Sequence, residues 1–353
     1  MCRKRSRVIM ALTNALVVFF ICYSVINISS NEKSVTVSPK AKFSESLSVS
    51  EVSMSQTISS SATEIHNNAT ATPVLPCCDN QTEMVHIYEH PFSLLHVPTN
   101  TCQSNGAKYD PFLLVVIKSD VNHLAHRMAI RTTWGKASKV RLKFVFLLGY
   151  SPLLKTFIQM ESNLYKDIIQ ETFLDDYRNN TMKTIMGFNW VSTNCPGAKY
   201  VLFVDDDYIV NIKYLWDHLN RLYVAGQRSM FTGFLWTNAK VERNIASKWY
   251  VSKEEYSDDV WPAYVSGVSM VITTDIVANI SNNFKFVKPL FIDDAYLGIV
   301  AQKLKIVLIH EERFWRFYTP DRMRYLFSSH RYKSPKTLVD DWARFHIKLD
   351  MVV

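Results

Sequence analysis

No G-x-G-x-x-G, no G-x-x-x-x-G-K-S/T and no G-x-S-x-G occurs in the 353 residues. That absence removes the dinucleotide fingerprint, the P-loop and the nucleophile elbow. C-x-x-C and H-E-x-x-H are missing too, so no short motif suggests zinc. No dense Lys/Arg stripe accompanies the net charge of +8, and Arg3, Lys4, Arg5 and Arg7 supply part of it at the extreme N-terminus. The chain therefore carries no nucleic-acid footprint, whereas an anionic nucleotide-like substrate suits the mild basic excess. No internal repeat in the solenoid range is found. Cysteine is scarce at six residues, and Cys2 and Cys22 fall before or inside the first apolar run.

What is present begins with that run. Val8 to Ile26 is apolar except for Thr13, Asn14 and Ser24. At ~1.5 Å per residue it spans roughly 28 Å, close to the hydrocarbon thickness of a bilayer. It outlasts the ~7–15 residues of a signal-peptide core and no A-x-A-like site follows. The sequence thus predicts a signal anchor over 8–28 rather than a cleaved leader. Basic residues before the run, and none just after it, predict a cytoplasmic tail over 1–7 and a lumenal remainder. N-x-S/T sequons at Asn68, Asn80, Asn179 and Asn279 agree with that compartment, and Asn27 opens another too near the membrane to use. Cys77, Cys78, Cys102 and Cys195 remain for an oxidising lumen, with three possible pairings. A bond between adjacent Cys77 and Cys78 would be strained.

Residues 29–87 are Ser/Thr/Val/Glu-rich, nearly free of aromatics and without apolar periodicity, which predicts a disordered stem. Globular patterning starts near Tyr88, giving a domain over 88–353. Apolar strands are expected at Phe112–Ile117, Phe144–Leu148, Asp167–Ile169 and Tyr200–Val204. Helices are expected at Asn122–Trp134, from Ser151-Pro152 to about Asn163, and at Thr181–Val191. Asn211 is expected to cap a helix whose Ile212, Leu215, Trp216, Leu219 and Leu222 follow the 3.6 period. Phe231–Trp236, Tyr264–Thr273 and Ile306–His310 read as further strands, with a helix from Asp293 to about Leu304. The segment from Glu311 is rich in Arg, Tyr, Phe and Trp. Strands alternating with helices predict an α/β fold with a mostly parallel, doubly wound sheet.

Tyr200-Val-Leu-Phe-Val204 runs straight into Asp205-Asp206-Asp207. Carboxylates at the C-terminal end of a buried parallel strand stand where open α/β sheets hold ligands. Three like charges together are unfavourable without a positive partner, and Asp205 and Asp207 can point to one side and grip a hard divalent cation. The competing reading is a solvated acidic turn. A second cluster, Asp293-Asp294, opens a helix. Either it caps free N–H groups, or one carboxylate faces the cleft and acts as a general base on a hydroxyl.

The chain resembles the β-1,3-galactosyltransferase and β-1,3-N-acetylglucosaminyltransferase family of Golgi enzymes from about Tyr88 to Phe345. The resemblance rests on His90-Pro91-Phe92, Pro98 before Cys102, Arg127, Ile130-Arg131, Thr133-Trp134-Gly135 and Phe146-Leu147-Leu148-Gly149. It continues through Glu161–Gln170, Tyr177–Lys183, the Val204–Asn211 segment with its D-x-D, Ser247-Lys248-Trp249, Tyr256 and Pro262-Ala263-Tyr264. Ser266-Gly267 and Asp293-Asp294-Ala295-Tyr296-Leu297-Gly298 complete it, in the family's order. The resemblance implies a GT-A-type (Rossmann-like) nucleotide-sugar fold, a UDP-sugar donor, Mn²⁺, a glycan acceptor on protein or lipid, and inversion at the anomeric carbon. It implies a Golgi membrane location as a single-pass type II protein, with 88–353 as the catalytic domain and a homodimer left open.

Carried over by position, Asp205 and Asp207 would ligate the metal and Asp206 would face the donor. Asp294 would take the proton of the acceptor's 3-hydroxyl. His330 would be the third metal ligand, or a structural histidine. Arg127 and Arg131 would approach the nucleotide, or form ion pairs on their helix. Trp249, Tyr264 and Gly267 would shape an acceptor or sugar platform, with the two aromatics equally readable as core. Cys102 and Cys195 are the first choice for a bridge, and Asn179 matches a family sequon. Val265 and Val300 replace a pair of family cysteines, which implies an apolar contact in place of a disulfide. Galactose is the leading donor sugar, with N-acetylglucosamine or N-acetylgalactosamine as the alternative, and a catalytically inactive lumenal binding protein on the same fold is the reading from another class.

Overall fold

The computed structural model describes residues 85–99, 101–104, 107–108, 110–136 and 141–345. The expected anchor, the stem up to residue 84, Asn68, Asn80, Cys77 and Cys78 lie outside them. Among the described residues no helix is long and apolar enough to cross a membrane.

A parallel core is built first. Strands β1 (Leu94–His96), β2 (Gln103–Ser104) and β3 (Ala107–Lys108) lead into β4 (Leu113–Lys118), and helix α1 (Leu124–Thr132) then connects to β5 (Leu142–Tyr150). Helix α2 (Lys155–Tyr165) leads to β6 (Ile168–Leu174), and α3 (Asn180–Asn194) to β7 (Tyr200–Asp205). After them come β8 (Ile209–Val210), α4 (Ile212–Val224), β9 (Phe231–Trp236), β10 (Tyr264–Thr273) and α5 (Thr274–Asn283). Helix α6 (Asp293–Lys303), β11 (Leu308–His310), β12 (Ser328–Ser329) and α7 (Pro335–Arg344) end the domain. The sheet order is β1-β6-β5-β4-β7-β10-β9-β11.

β6, β5, β4 and β7 are mutually parallel, while β10 is antiparallel to both β7 and β9. The sheet is therefore parallel at its centre and mixed on the β10 side. The chain winds from β4 outward to β5 and β6, then returns to lay β7 on the other flank of β4. That reversal makes the C-terminal ends of β4 and β7 the topological switch point, where such sheets open a crevice.

The unbroken apolar runs have a physical reason. Leu114, Val116, Val201 and Phe203 enter one core, and Leu113, Val115, Ile117, Leu202 and Val204 enter the other, because alternate residues face opposite sides. Val265 and Val300 are both buried in the first of these cores. A disulfide joins Cys102 to Cys195 at a Cα–Cα distance of 5.4 Å, tying the segment before β4 to the C-cap of α3.

Two boundaries differ most from expectation. β6 runs on to Leu174, because Gln170 and Glu171 are buried with partners: Gln170 Nε2 donates to the Gly149 carbonyl at 2.7 Å and Glu171 meets His90 at 2.6 Å. A polar pair satisfied inside a sheet has no apolar signal. α2 begins at Lys155 rather than at Ser151-Pro152, which form the turn before it, and Leu154 caps it without a side-chain bond.

Candidate active site

β4 and β7 end side by side, with Lys118 in register with Asp205. Lys118 is a buried cation at the end of an all-apolar strand, so its ammonium must find carboxylates. It finds two: Asp205 Oδ1 at 3.2 Å and Asp293 Oδ2 at 2.7 Å. Those two oxygens lie no farther apart than the two contacts laid end to end, about 6 Å. Lys118 thereby unites the acidic clusters at 205–207 and 293–294. Burial alone would lower its pKa, but Asp205 and Asp293 together push it above the usual lysine value.

The carboxylates do not titrate alike. Burial raises Asp205 to about 7, against the pull of Lys118 and with added push from Asp207 and Asp293. Asp293 is the reverse: burial opposes its charge, yet Lys118 and the Thr184 hydroxyl, which donates at 2.8 Å, hold it below the ordinary carboxylate range. Burial first, and then the neighbouring Asp293 charge, raise Asp294 to about 6. Its Oδ1 accepts the Ala295 N–H at 2.9 Å and its Oδ2 lies 3.4 Å from the Gly267 nitrogen on β10. Only the first of these contacts is within its own helix, so Asp294 is turned partly toward the sheet. A Cβ on Gly267 would come within 3.0 Å of the Asp294 Cβ, and one on Gly298 within 2.6 Å of the Tyr264 Cβ. Both glycines let α6 lie flush on β10.

Asp206, expected to face the donor, is instead buried and turned under the β4–α1 loop. Its carboxylate accepts from Ser119 Oγ at 2.6 Å and meets His123 Nδ1 at 3.0 Å. Burial disfavours its charge, but His123 and Ser119 hold its pKa below normal. Arg127 and Arg131 also serve the frame. Arg127 is fully buried, forks onto Glu161 at 2.8 Å through both Nε and Nη2, and donates to Ser119 Oγ at 3.0 Å and the Asp120 carbonyl at 2.7 Å. Arg131 pairs with Glu161 at 2.7 Å and Asp167 at 2.8 Å. The structure does pair these arginines with carboxylates, but in buried contacts to Glu161 and Asp167 of other elements rather than on the surface of their own helix. Arg127 shapes the site indirectly, through the 119–120 turn that holds Asp206.

Asp207 meets His330: Oδ2 lies 3.1 Å from Nε2. The other ring nitrogen, Nδ1, lies 3.2 Å from the Arg316 carbonyl, which can only accept, so Nδ1 carries a proton. Antiparallel pairing of β12 with β8 sets Ser329 opposite Ile209, and Tyr208 stacks on the His330 ring at 4.5 Å. With Nδ1 protonated, a neutral ring would turn the Nε2 lone pair toward an Asp207 lone pair. A proton or a metal cation between them removes that repulsion, and an N/O donor set of this kind suits a divalent metal such as Mn²⁺. Among the described residues no three His, Cys, Asp or Glu side chains already converge on one point. The donors fit a metal by type, and they are gathered as a pair with Asp205 beside them.

Trp249 is half exposed on the loop between β9 and β10. Lys248 joins it to Tyr177, its ammonium lying 4.8 Å from the Trp249 ring centroid and 5.0 Å from that of Tyr177. The Tyr177 hydroxyl is pushed up by burial first and also feels Asp293, Asp294 and Asp205. Tyr264, half-buried, is raised by burial and then by Asp294. Tyr177 and Tyr264 thus border the acidic cleft, with Trp249 next to Tyr177. Asn279 is exposed on α5, whereas the Asn179 amide donates to the Leu174 carbonyl at 2.9 Å. Lys118, Ser119, His123 and Thr184 are the site residues that motif reading passes over. Their one signal is a lysine closing an apolar strand that neighbours the acidic one.

The model of the galactosyltransferase family matches residues 125–312. Beta-1,3-galactosyltransferase 5 of Gorilla gorilla gorilla is 35% identical over 274 residues, covering 74% of this chain and 89% of that protein. Beta-1,3-galactosyltransferase 2 of Homo sapiens is 35% identical over 245 residues, covering 66% of this chain and 58% of that one. Among solved structures, galactosyltransferase LgtC in complex with donor and acceptor sugar analogs is similar at 12% identity and a TM-score of 0.35, over 65% of this chain and 95% of that chain. Fold, site and relatives define an enzyme that transfers a hexose. The chain belongs to the galactosyltransferase family.

Proposed function

We propose that this enzyme transfers galactose from UDP-galactose, with inversion and in β-1,3 linkage, to the 3-hydroxyl of a glycan on protein or lipid. It does so in the Golgi lumen, anchored by residues 8–28. The observation that carries the reading is the Lys118 bridge, which gives two carboxylate groups distant in sequence one cleft. Relatives named as beta-1,3-galactosyltransferases support the linkage and the sugar.

Asp205, Asp207 and His330 would hold Mn²⁺, which when bound supplies positive charge to a diphosphate leaving group. The chain's own residues do the rest. Asp294 takes the proton of the acceptor hydroxyl as its oxygen bonds the anomeric carbon and the bond from that carbon to the diphosphate oxygen breaks. The raised pKa of Asp294 makes it a stronger base than an ordinary carboxylate, while Gly267 and Ala295 fix its orientation. Lys118 keeps Asp293 charged and offsets part of the cost of charge on Asp205, so the two carboxylates can share one cleft.

The test offers the full-length enzyme UDP-galactose, UDP-N-acetylglucosamine and UDP-N-acetylgalactosamine with Mn²⁺ and a panel of oligosaccharide acceptors. Galactosylated product with a new β-1,3 linkage is expected. Turnover of an N-acetylhexosamine donor with none of UDP-galactose would reassign the sugar.

A further inference from the structure

Apart from His330, the Arg- and aromatic-rich segment after Glu311 has no role in the chemistry above, yet part of it borders the cleft. Arg316 lies over three rings, 4.1 Å from the Trp236 centroid, 4.5 Å from Phe234 and 4.8 Å from Phe317. Its Nε is buried with no acceptor among the described residues. No carboxylate among those residues pairs with it, unlike Arg127, Arg131 and Arg313, each of which has one. Arg331 approaches the Phe317 ring at 5.4 Å. Phe317 itself is 38% exposed, enough to leave part of its ring open to a ligand.

This shelf is continuous with the reacting centre. Trp236 on β9 is the register partner of Tyr264 on β10, and directly paired residues present their side chains on one face. That face is the one α6 covers, since Tyr264 abuts Gly298 one turn beyond Asp294. Arg316 reaches both sides of the cleft: its charge acts on Tyr264, and its carbonyl accepts from His330. An aromatic ring beside a guanidinium held in place by ring stacking matches a pyranose, which offers an apolar C–H face and a rim of oxygens. A neutral saccharide asks no more of Arg316 than two or three hydrogen bonds.

We propose that Phe317 and Arg316, backed by Trp236, form a subsite for the sugar unit next to the acceptor residue, so that the enzyme selects oligosaccharide over monosaccharide acceptors. The proposal rests on the transferase reading of the Asp294 cleft. In it, Phe317 carries the pyranose face and Arg316 donates to ring or hydroxyl oxygens. Both are specificity-determining residues.

The test compares Phe317→Ala and Arg316→Gln with the full-length wild type, using a monosaccharide acceptor and the disaccharide that extends it. UDP affinity in the presence of Mn²⁺ is measured alongside. About tenfold higher KM for the disaccharide is expected, with monosaccharide KM, kcat and UDP affinity unchanged. Equal losses on both acceptors, or weakened UDP binding, would overturn the subsite. Saturation-transfer NMR of disaccharide binding to the UDP-loaded protein gives the same comparison without turnover. If no transfer occurs but binding falls in both variants, the subsite stands and the proposed reaction fails. Binding unaltered in both variants overturns the subsite.

Discussion

Lys118 is the residue on which the site's electrostatics turn. Replacing it with methionine keeps the volume and removes the one cation that, among the described residues, both Asp205 and Asp293 touch. Two buried carboxylates are then uncompensated, a loss on the order of 3–5 kcal/mol. The folded pKa of Asp205, already above its unfolded value, would rise further and that of Asp293 would rise from below to above, so protonation at low pH relieves the strain and rising pH restores it. Thermal unfolding of Lys118→Met should therefore show a deficit against wild type that is wide at pH 8 and narrow near pH 5. An equal deficit at both pH values would mean that lysine acts by packing. Asp294 carries the second prediction at this scale. A general base works only when deprotonated, so kcat/KM should fall about tenfold per pH unit below about 6, where Asp294 titrates. An acid limb near 4 would point to an unperturbed carboxylate elsewhere.

At the scale of elements, the contact between α6 and β10 positions Asp294, the proposed base. Gly298→Ala would bring a methyl within 2.9 Å of the Ala263 carbonyl as well as against Tyr264. Alanine gains about 1 kcal/mol of helix propensity, but overpacking against backbone costs about 1–3 kcal/mol, and the clash wins. Because Asp294 lies one turn away, transfer should drop by more than the fraction of protein unfolded, measured as kcat beside circular dichroism. Retained kcat in a destabilised variant would uncouple that helix position from the base. The same scale shows what was legible beforehand. The Asn211 cap was readable and is present, its side chain accepting from the Tyr214 N–H at 3.2 Å. Ser-Pro at 151–152 lies in a turn, while the same pair at 334–335 opens α7. A dipeptide fits a turn or a helix start equally, and the packing of the next turn decides between them. β6 was cut short because its buried Gln170 and Glu171 look like loop residues until their partners are known.

For the whole molecule, the parallel centre was readable because two-sided burial writes a continuous apolar run. The β10 side was not, since strand direction depends on pairing between distant segments. The acidic clusters were legible as residues; their union was not, because it passes through a lysine with no motif of its own. Asp206, Arg127 and Arg131 show the converse, residues whose pattern points to a ligand and whose surroundings give them a structural partner. In the proposed reaction one cleft divides its labour, with Asp207 on the metal–diphosphate side and Asp294 on the proton side. Titration calorimetry of UDP with Mn²⁺, run beside transfer assays on Asp207→Asn and Asp294→Asn, tests this most directly. Asp207→Asn is expected to lose Mn²⁺-dependent UDP binding, while Asp294→Asn binds as wild type does and transfers at least a thousandfold more slowly. UDP binding lost equally in both variants would contradict it.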